Sequence, residues 1–301
     1  MAQRPHWEKP DKANYPVFIT PRDVKVMLAL QYHGQLRASY VSALAGFPQT
    51  MKDGRVELHT WYQRHRALWA NDFIDEMCYN QYRENIIFLG KAGVEYLKAR
   101  NLYEHKFEKF RNGKKGEDRE LGHKLAVADL VADFEINLPK HGLEFIPRHQ
   151  LADMTKAQPF RMQSGDSFVE PDDIFAIRYP NGNMRGIIVE AETGHKDIKP
   201  SKKKRSTIDT LIWHRKFLND KAFTQLGMPA ALVLTISPDE VHMGKVMTEL
   251  PKHVTGTTPF LFTHNHLFNR IDMYAEAPKP DGSTLRPCKR AGHDDFDLLK
   301  I

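Results

Sequence analysis

Cysteine is almost missing from this chain: Cys78 and Cys288 are the only two in 301 residues. Thiols 210 positions apart build neither a disulfide framework nor a CxxC zinc knuckle. Such usage belongs to a reducing compartment, so a cytoplasmic protein is expected. Long apolar runs are missing too. With no stretch of about 18 apolar residues there is no transmembrane helix to place. The opening MAQRPHWEKPDKANYP lacks the apolar stretch of a secretory signal, and a membrane is not among the expected partners. There is no GxxxxGKS/T string, which argues against P-loop ATP hydrolysis, and no GxSxG string, which argues against a serine hydrolase.

What is present is ordinary globular composition, 41% apolar and 27% charged, at a length suggesting two domains of about 100–200 residues each. The formal charge of +6 is unevenly spread: residues 1–116 carry 19 Lys and Arg against 12 Asp and Glu, and residues 117–301 carry 25 against 26. A basic module therefore precedes a neutral one. That asymmetry points to a polyanionic partner, most often nucleic acid. The segment 111–118 (RNGKKGED) has no apolar residue and two glycines, the composition of a linker. It divides the chain into residues 1–116, with a flexible N-terminus, and residues 117–301.

In the first module Thr20 and Pro21 open a helix as N-cap and first residue. Val24, Met27, Leu28 and Tyr32 recur at helical spacing, and Gly34 closes it. A short helix follows from about Leu36 to Gly46. A third spans residues 57–71, with Leu58, Trp61, Tyr62, Leu68 and Trp69 as its apolar face and His59, Gln63, Arg64 and Arg66 opposite. Two strand-like pieces, 73–82 and 84–89, lead into a last helical stretch at 90–97. Three helices and a β-hairpin in this order make a winged helix-turn-helix. The third helix would enter the major groove, and Arg64, Arg66 and, from the wing, Arg83 would contact the backbone of double-stranded DNA. The competing reading is a helical protein-interaction module with a solvated basic face.

In the second module residues 121–138 form the longest helix. Val127, Leu130, Val131, Phe134 and Leu138 make its buried arc, and Asp129 and Asp133 fall opposite, where water is expected. Glu135 falls at the edge of the arc. Strand candidates follow at 143–146, 168–177 and 186–192, then a helix at 206–219 and a buried strand at 230–236. The sum is α-β-β-β-α-β, a mixed α/β sheet flanked by helices. Residues 237–301 add strand-like pieces at 260–263 and 271–274 to the sheet margin. Alternation puts Glu190 and Glu192 on one strand face, and Asp172 begins the neighbouring strand. Asp172, Glu190 and Glu135 meeting at one point would offer a hard cation such as Mg²⁺ three oxygen ligands. The bland alternative leaves these acids on a solvated face.

Pro171-Asp172 followed by Glu190-Ala191-Glu192 at the end of an apolar strand resembles the PD-(D/E)xK nuclease-like (restriction-endonuclease-like) fold. Across residues 20–236 the chain resembles the replication-relaxation family of plasmid- and phage-associated proteins, which join an N-terminal winged helix to such a domain. The resembling pieces are Tyr62-Gln-Arg-His-Arg-Ala-Leu-Trp-Ala-Asn-Asp-Phe-Ile-Asp75, Leu89-Gly-Lys-Ala-Gly-Val-Glu-Tyr-Leu97, His123-Lys-Leu-Ala-Val-Ala-Asp129, and Pro171-Asp172 with Glu190-Ala-Glu-Thr-Gly194. Each is short, and their order carries the resemblance. It implies Asp172 and Glu190 as acids for Mg²⁺ or Mn²⁺, with Glu135 as the upstream helix acid. Glu192 departs from the pattern: it stands where the motif has a catalytic Lys, and a carboxylate cannot supply that charge. Lys196, Lys199 or Lys216 would have to replace it.

The run Lys202, Lys203, Lys204 and Arg205 is a further candidate for the phosphate backbone, although a solvated loop explains it better. Thr263-His-Asn-His266 spells an HNH-like string without the ββα context and is taken as coincidence. Three readings stay open: a DNA-binding protein of a mobile element with a non-cleaving nuclease-like domain, a Mg²⁺-dependent endonuclease with a displaced Lys, and a regulator or scaffold with an inert second domain. A homodimer or a nucleoprotein complex would suit any of them.

Overall fold

Thr20 starts the first helix as its chemistry predicts. Its hydroxyl accepts from the Asp23 amide at 3.4 Å, while the Asp23 carboxylate accepts from the Thr20 amide at 2.7 Å, a capping box with Pro21 at the first turn. In the computed structural model, the residues described are 9–48, 50–52, 55–57, 59–77, 84–104, 118–155, 162–164, 167–192, 194, 196–200, 205–265 and 279–300. Arg83, Lys202, Lys203 and Lys204 lie outside them, as do the expected hairpin tip at 78–83 and the strand at 271–274. The chain is a mixed α/β protein in two compact units, Met1–Ala132 with Arg270–Pro280, and Asp133–Asn269 with Asp281–Ile301.

The first unit runs α1 (Pro21–His33), β1 (Gln35–Arg37), α2 (Ala38–Leu44), a hairpin of β2 (Thr50–Lys52) and β3 (Arg55–Glu57), α3 (His59–Ala70), β4 (Ile74–Met77), β5 (Ile86–Leu89) and α4 (Lys91–Ala99). Strands β1, β5 and β4 form an antiparallel sheet in that order. The strand ahead of α2 takes the start of a stretch read as helix from about Leu36, and the hairpin ahead of α3 fills a stretch left without an element, because three residues are too few to show a period. Trp61 and Leu68 are buried on α3, and Trp61 meets Phe47 edge-to-face at 5.3 Å. Tyr62, expected on the buried arc, is exposed. The Gly-Lys-Ala-Gly string has a steric cause: a Cβ on Gly90 would lie 2.2 Å from the Asp72 carbonyl oxygen, and one on Gly93 2.3 Å from that of Phe73. Only glycine lets the start of α4 come so close to the backbone leading into β4.

Helix α5 (Asp118–Asn137) carries the largest departure from expectation. Asp129 and Asp133, expected in water, are both fully buried. A helical wheel shows which residues share a face, not what covers that face. Asp129 accepts from the buried Arg37 Nε at 2.7 Å, and nearby Glu84 is held by the Ser39 hydroxyl at 2.7 Å. Burial pushes the Asp129 carboxyl up to about 6, against the downward pull of Arg37. In the second unit Asp133 accepts from the Gly282 amide at 3.0 Å, the Thr284 amide at 3.2 Å and the Thr284 hydroxyl.

The second unit is built on a seven-stranded sheet. Strands β6 (Glu144–Pro147), β9 (Asp173–Arg178) and β10 (Met184–Ala191) pair antiparallel. Strands β11 (Ala231–Ser237) and β12 (Phe260–His264) then continue parallel to β10. β13 (Cys288–Arg290) and β14 (His293–Phe296) finish the margin, and β7 (Met162–Ser164) pairs with β8 (Ser167–Val169) apart from it. The two parallel steps are bridged by α7 (Thr207–Asn219) and α8 (Glu240–Glu249), as parallel pairing requires. Helix α6 (Arg148–Thr155) follows β6. Ile174, Ala176, Ile188 and Val233 share one face and pack with Ile208, Leu211 and Phe217 of α7. Phe175 points the other way, and Phe134 of α5 packs on it at 5.0 Å.

Removing one member of the buried Arg37–Asp129 pair strands the other charge. Arg37→Ala or Asp129→Ala should therefore cost about 3–5 kcal/mol, read by urea unfolding through the buried Trp61 and Trp69 in a Trp7→Phe, Trp213→Phe background. Because the folded carboxyl titrates above its ordinary range, its contribution is full below about pH 4 and falls as the pH rises to about 6. Asp129→Asn should remove that slope, and an unchanged pH profile would refute the assignment.

Candidate functional site

Three of the acids singled out in the sequence, Asp172, Glu190 and Glu192, gather where β10 ends. Strand alternation turns Ile188, Glu190 and then Glu192 toward the face covered by α7. Glu190 Oε1 lies 2.6 Å from Nε2 of the fully buried His214. Near the start of the same helix, the Thr207 hydroxyl donates to Glu192 Oε2 at 2.8 Å. Lys196 Nζ stands 3.6 Å from the other oxygen of Glu192. Helix α7 begins where it does because Ser206 and Asp209 form a second capping box, and this sets Thr207 and His214 over the strand end.

Asp172 approaches from the turn before β9, and its Oδ2 accepts the Ala191 amide at 2.8 Å. The turn is clamped by Arg148, which donates to the Asp173 carboxylate at 2.8 Å and to the Asp172 carbonyl at 3.0 Å. Burial pushes the Glu190 carboxyl upward. His214 opposes the rise, and the charge of Asp172 adds to it. His214 Nδ1 is buried with no partner among the described residues. A buried N–H there would be a stranded donor, so the ring proton belongs on Nε2, facing Glu190. Thr235 and Ser237 of β11 occupy the same face beside Glu190 and Glu192, their hydroxyl oxygens buried and unpaired among the described residues.

Asp172 and Glu190 are thus neighbours, as expected. Glu135 is not brought to them: α5 packs through Phe134 on the opposite sheet face, so the expected meeting of three acids does not form. No three His, Cys, Asp or Glu side chains stand together as a metal-holding group among the described residues. A Mg²⁺ or Mn²⁺ ion prefers several open oxygens. Here Asp172, Glu190 and Glu192 each accept from a protein donor through one oxygen. His214 and Arg148 escaped sequence reasoning. The available signal for His214 was a polar side chain on the apolar arc of α7, with Leu211 and Phe217; nothing local marks Arg148.

The basic residues divide differently from expectation. Arg64 does not face outward: its Nε donates to Asp23 Oδ1 at 2.7 Å, and its Nη2 reaches Asp23 Oδ2 and the Phe18 carbonyl. Burial raises the Asp23 carboxyl, but the bonds from Arg64 and Thr20 outweigh it, and the net direction is down. Arg66 is exposed, with its guanidinium carbon 5.3 Å from the centre of the Tyr15 ring. No helix among the described residues is long and apolar enough to cross a membrane. No protein-family model, no curated protein and no solved structure matches this chain.

His214→Ala should leave the Glu190 carboxyl buried without its donor. A loss of about 1–3 kcal/mol is expected at neutral pH, shrinking in acid, where Glu190 takes a proton more readily than an ordinary glutamate. Denaturant unfolding followed by circular dichroism at both pH values checks this. An equal loss at both would contradict the role given to the pair.

Proposed function

We propose that the protein binds double-stranded DNA through its first unit in the manner of a winged helix, and that its second unit is a nuclease-like platform that does not cleave. The observation that carries this is the order α1, β1, α2, α3, β4, β5, with the β2-β3 hairpin inserted between α2 and α3, closed by the sheet β1-β5-β4, with Thr60, Tyr62, Gln63 and Arg66 exposed along α3. A third helix with a polar exposed face beside a small antiparallel sheet is the arrangement that presents side chains to a major groove. The excess of basic residues over residues 1–116 supports the same partner. The order from the end of α5 onward, β6, β9, β10, α7, β11, with α6, β7 and β8 inserted between β6 and β9, has three antiparallel strands and a fourth parallel to the third, and this supports the nuclease-like reading. The commitment of Asp172, Glu190 and Glu192 to protein donors supports a platform over a catalyst. Taken with the sequence resemblance, the role is that of a mobile-element protein of the replication-relaxation type.

One observation favours the cleaving alternative: Lys196 brings an ammonium to within 3.6 Å of Glu192, near the position where the nuclease motif has its Lys. Duplex DNA should shift in a gel with this protein, and Arg66→Gln should lower the salt dependence of binding by about one unit of slope. Supercoiled plasmid incubated with the protein and Mg²⁺ or Mn²⁺ should stay intact. Nicking that disappears in both Asp172→Ala and Lys196→Ala would establish the endonuclease instead.

A further inference from the structure

An open groove of about 830 Å³ lies in the first unit, between the start of α1, the turn after α2 and the first half of α3. Arg22, Lys25, Phe47, Thr60, Gln63 and Arg64 are among its lining residues. Three of these side chains are cationic and one further lining residue, Asp23, is anionic. The Arg64–Asp23 pair cancels itself: it is doubly hydrogen-bonded, and Asp23 is held in its ionised form. The net field of the groove therefore comes from Arg22 and Lys25, three residues apart on α1 and hence on one helix face. Arg22 rests its guanidinium carbon 4.8 Å from the centre of the Phe47 ring. That contact restrains an exposed side chain at the groove, so a phosphate met there costs it less further entropy. The positive end of the α1 dipole adds to the same potential.

Resting on the reading that this unit binds duplex DNA, we propose that the groove seats the sugar-phosphate backbone of one strand, with Arg22 and Lys25 as its phosphate contacts and the exposed face of α3, from Thr60 to Arg66, turned to the adjoining major groove. This moves the backbone contact from Arg64, which the fold uses internally, to a pair on α1 that no sequence motif marked. Arg64 is then a positioning residue: it holds Asp23, and through the capping box the start of α1, at the groove wall.

The test is duplex binding measured across a salt series for the full chain and for Arg22→Gln, Lys25→Gln and the double variant. Neutralising one phosphate-binding side chain should lower the magnitude of the slope of log K against log salt by about 0.9, so the double variant should fall by about 1.8. The change should be the same on unrelated sequences, since phosphates carry no sequence information. Neither side chain holds the core together, and melting temperatures should not change. Arg64→Gln should instead lower the melting temperature by breaking the Asp23 pair. Duplex binding with an unaltered slope in the double variant overturns the groove assignment while leaving DNA binding by the unit standing. Absence of any shift by the unmodified protein at low salt overturns both.

Discussion

A charge withdrawn from water must be met by a donor or an opposite charge, and in this chain that requirement decides what most of the notable acids do. Asp23 is met by Arg64, Asp129 by Arg37, Asp133 by the backbone and hydroxyl of the 282–284 turn, Glu190 by His214 and Glu192 by Thr207. Leaving any one of them unpaired would cost several kcal/mol. The consequence reaches function. Glu190 and Glu192 hold a strand end to a helix, and Arg64, expected on a DNA-facing surface, holds a helix cap. Among the described residues of the first unit, Arg22, Lys25 and Arg66 are exposed and stand outside such pairs.

The same requirement explains the organisation of the strand end in the second unit. Parallel pairing of β10 with β11 puts Glu190 beside Thr235 and brings Glu192 to the level of Ser237, on a face that α7 must cover. A purely apolar helix would have left two carboxylates stranded. Helix α7 carries Thr207 and His214 at the positions that reach them and Ile208, Leu211 and Phe217 where the sheet is apolar. Along this face the strand passes from apolar Ile188 to Glu190 and Glu192, and the helix supplies an apolar or a polar partner to match.

Much of the architecture was legible beforehand because it depends on local chemistry. The Thr20-Pro21 start, the strand at 184–191, the helix after Ser206 and the buried run at 231–237 announce themselves through caps, β-branched content and period. The short pieces β1, β2 and β3 do not, since three residues carry no period. Asp129 and Asp133 misled for a different reason: their place on the wheel was right, but both faces of α5 are covered.

The sequence by itself determined where most helices and strands begin, that a basic module comes first, and that two acids lie near one strand end, because capping, propensity and alternation act between neighbours in the chain. Which charges are spent on internal pairs depends on packing. Arg64 finds Asp23 across 41 positions, Arg37 finds Asp129 across 92, and His214 finds Glu190 across 24. Only α5 packing on the face opposite Glu190 separates Glu135 from the other acids. Such pairings depend on desolvation and on which surfaces meet, quantities that exist once the chain has packed and have no counterpart in local spacing.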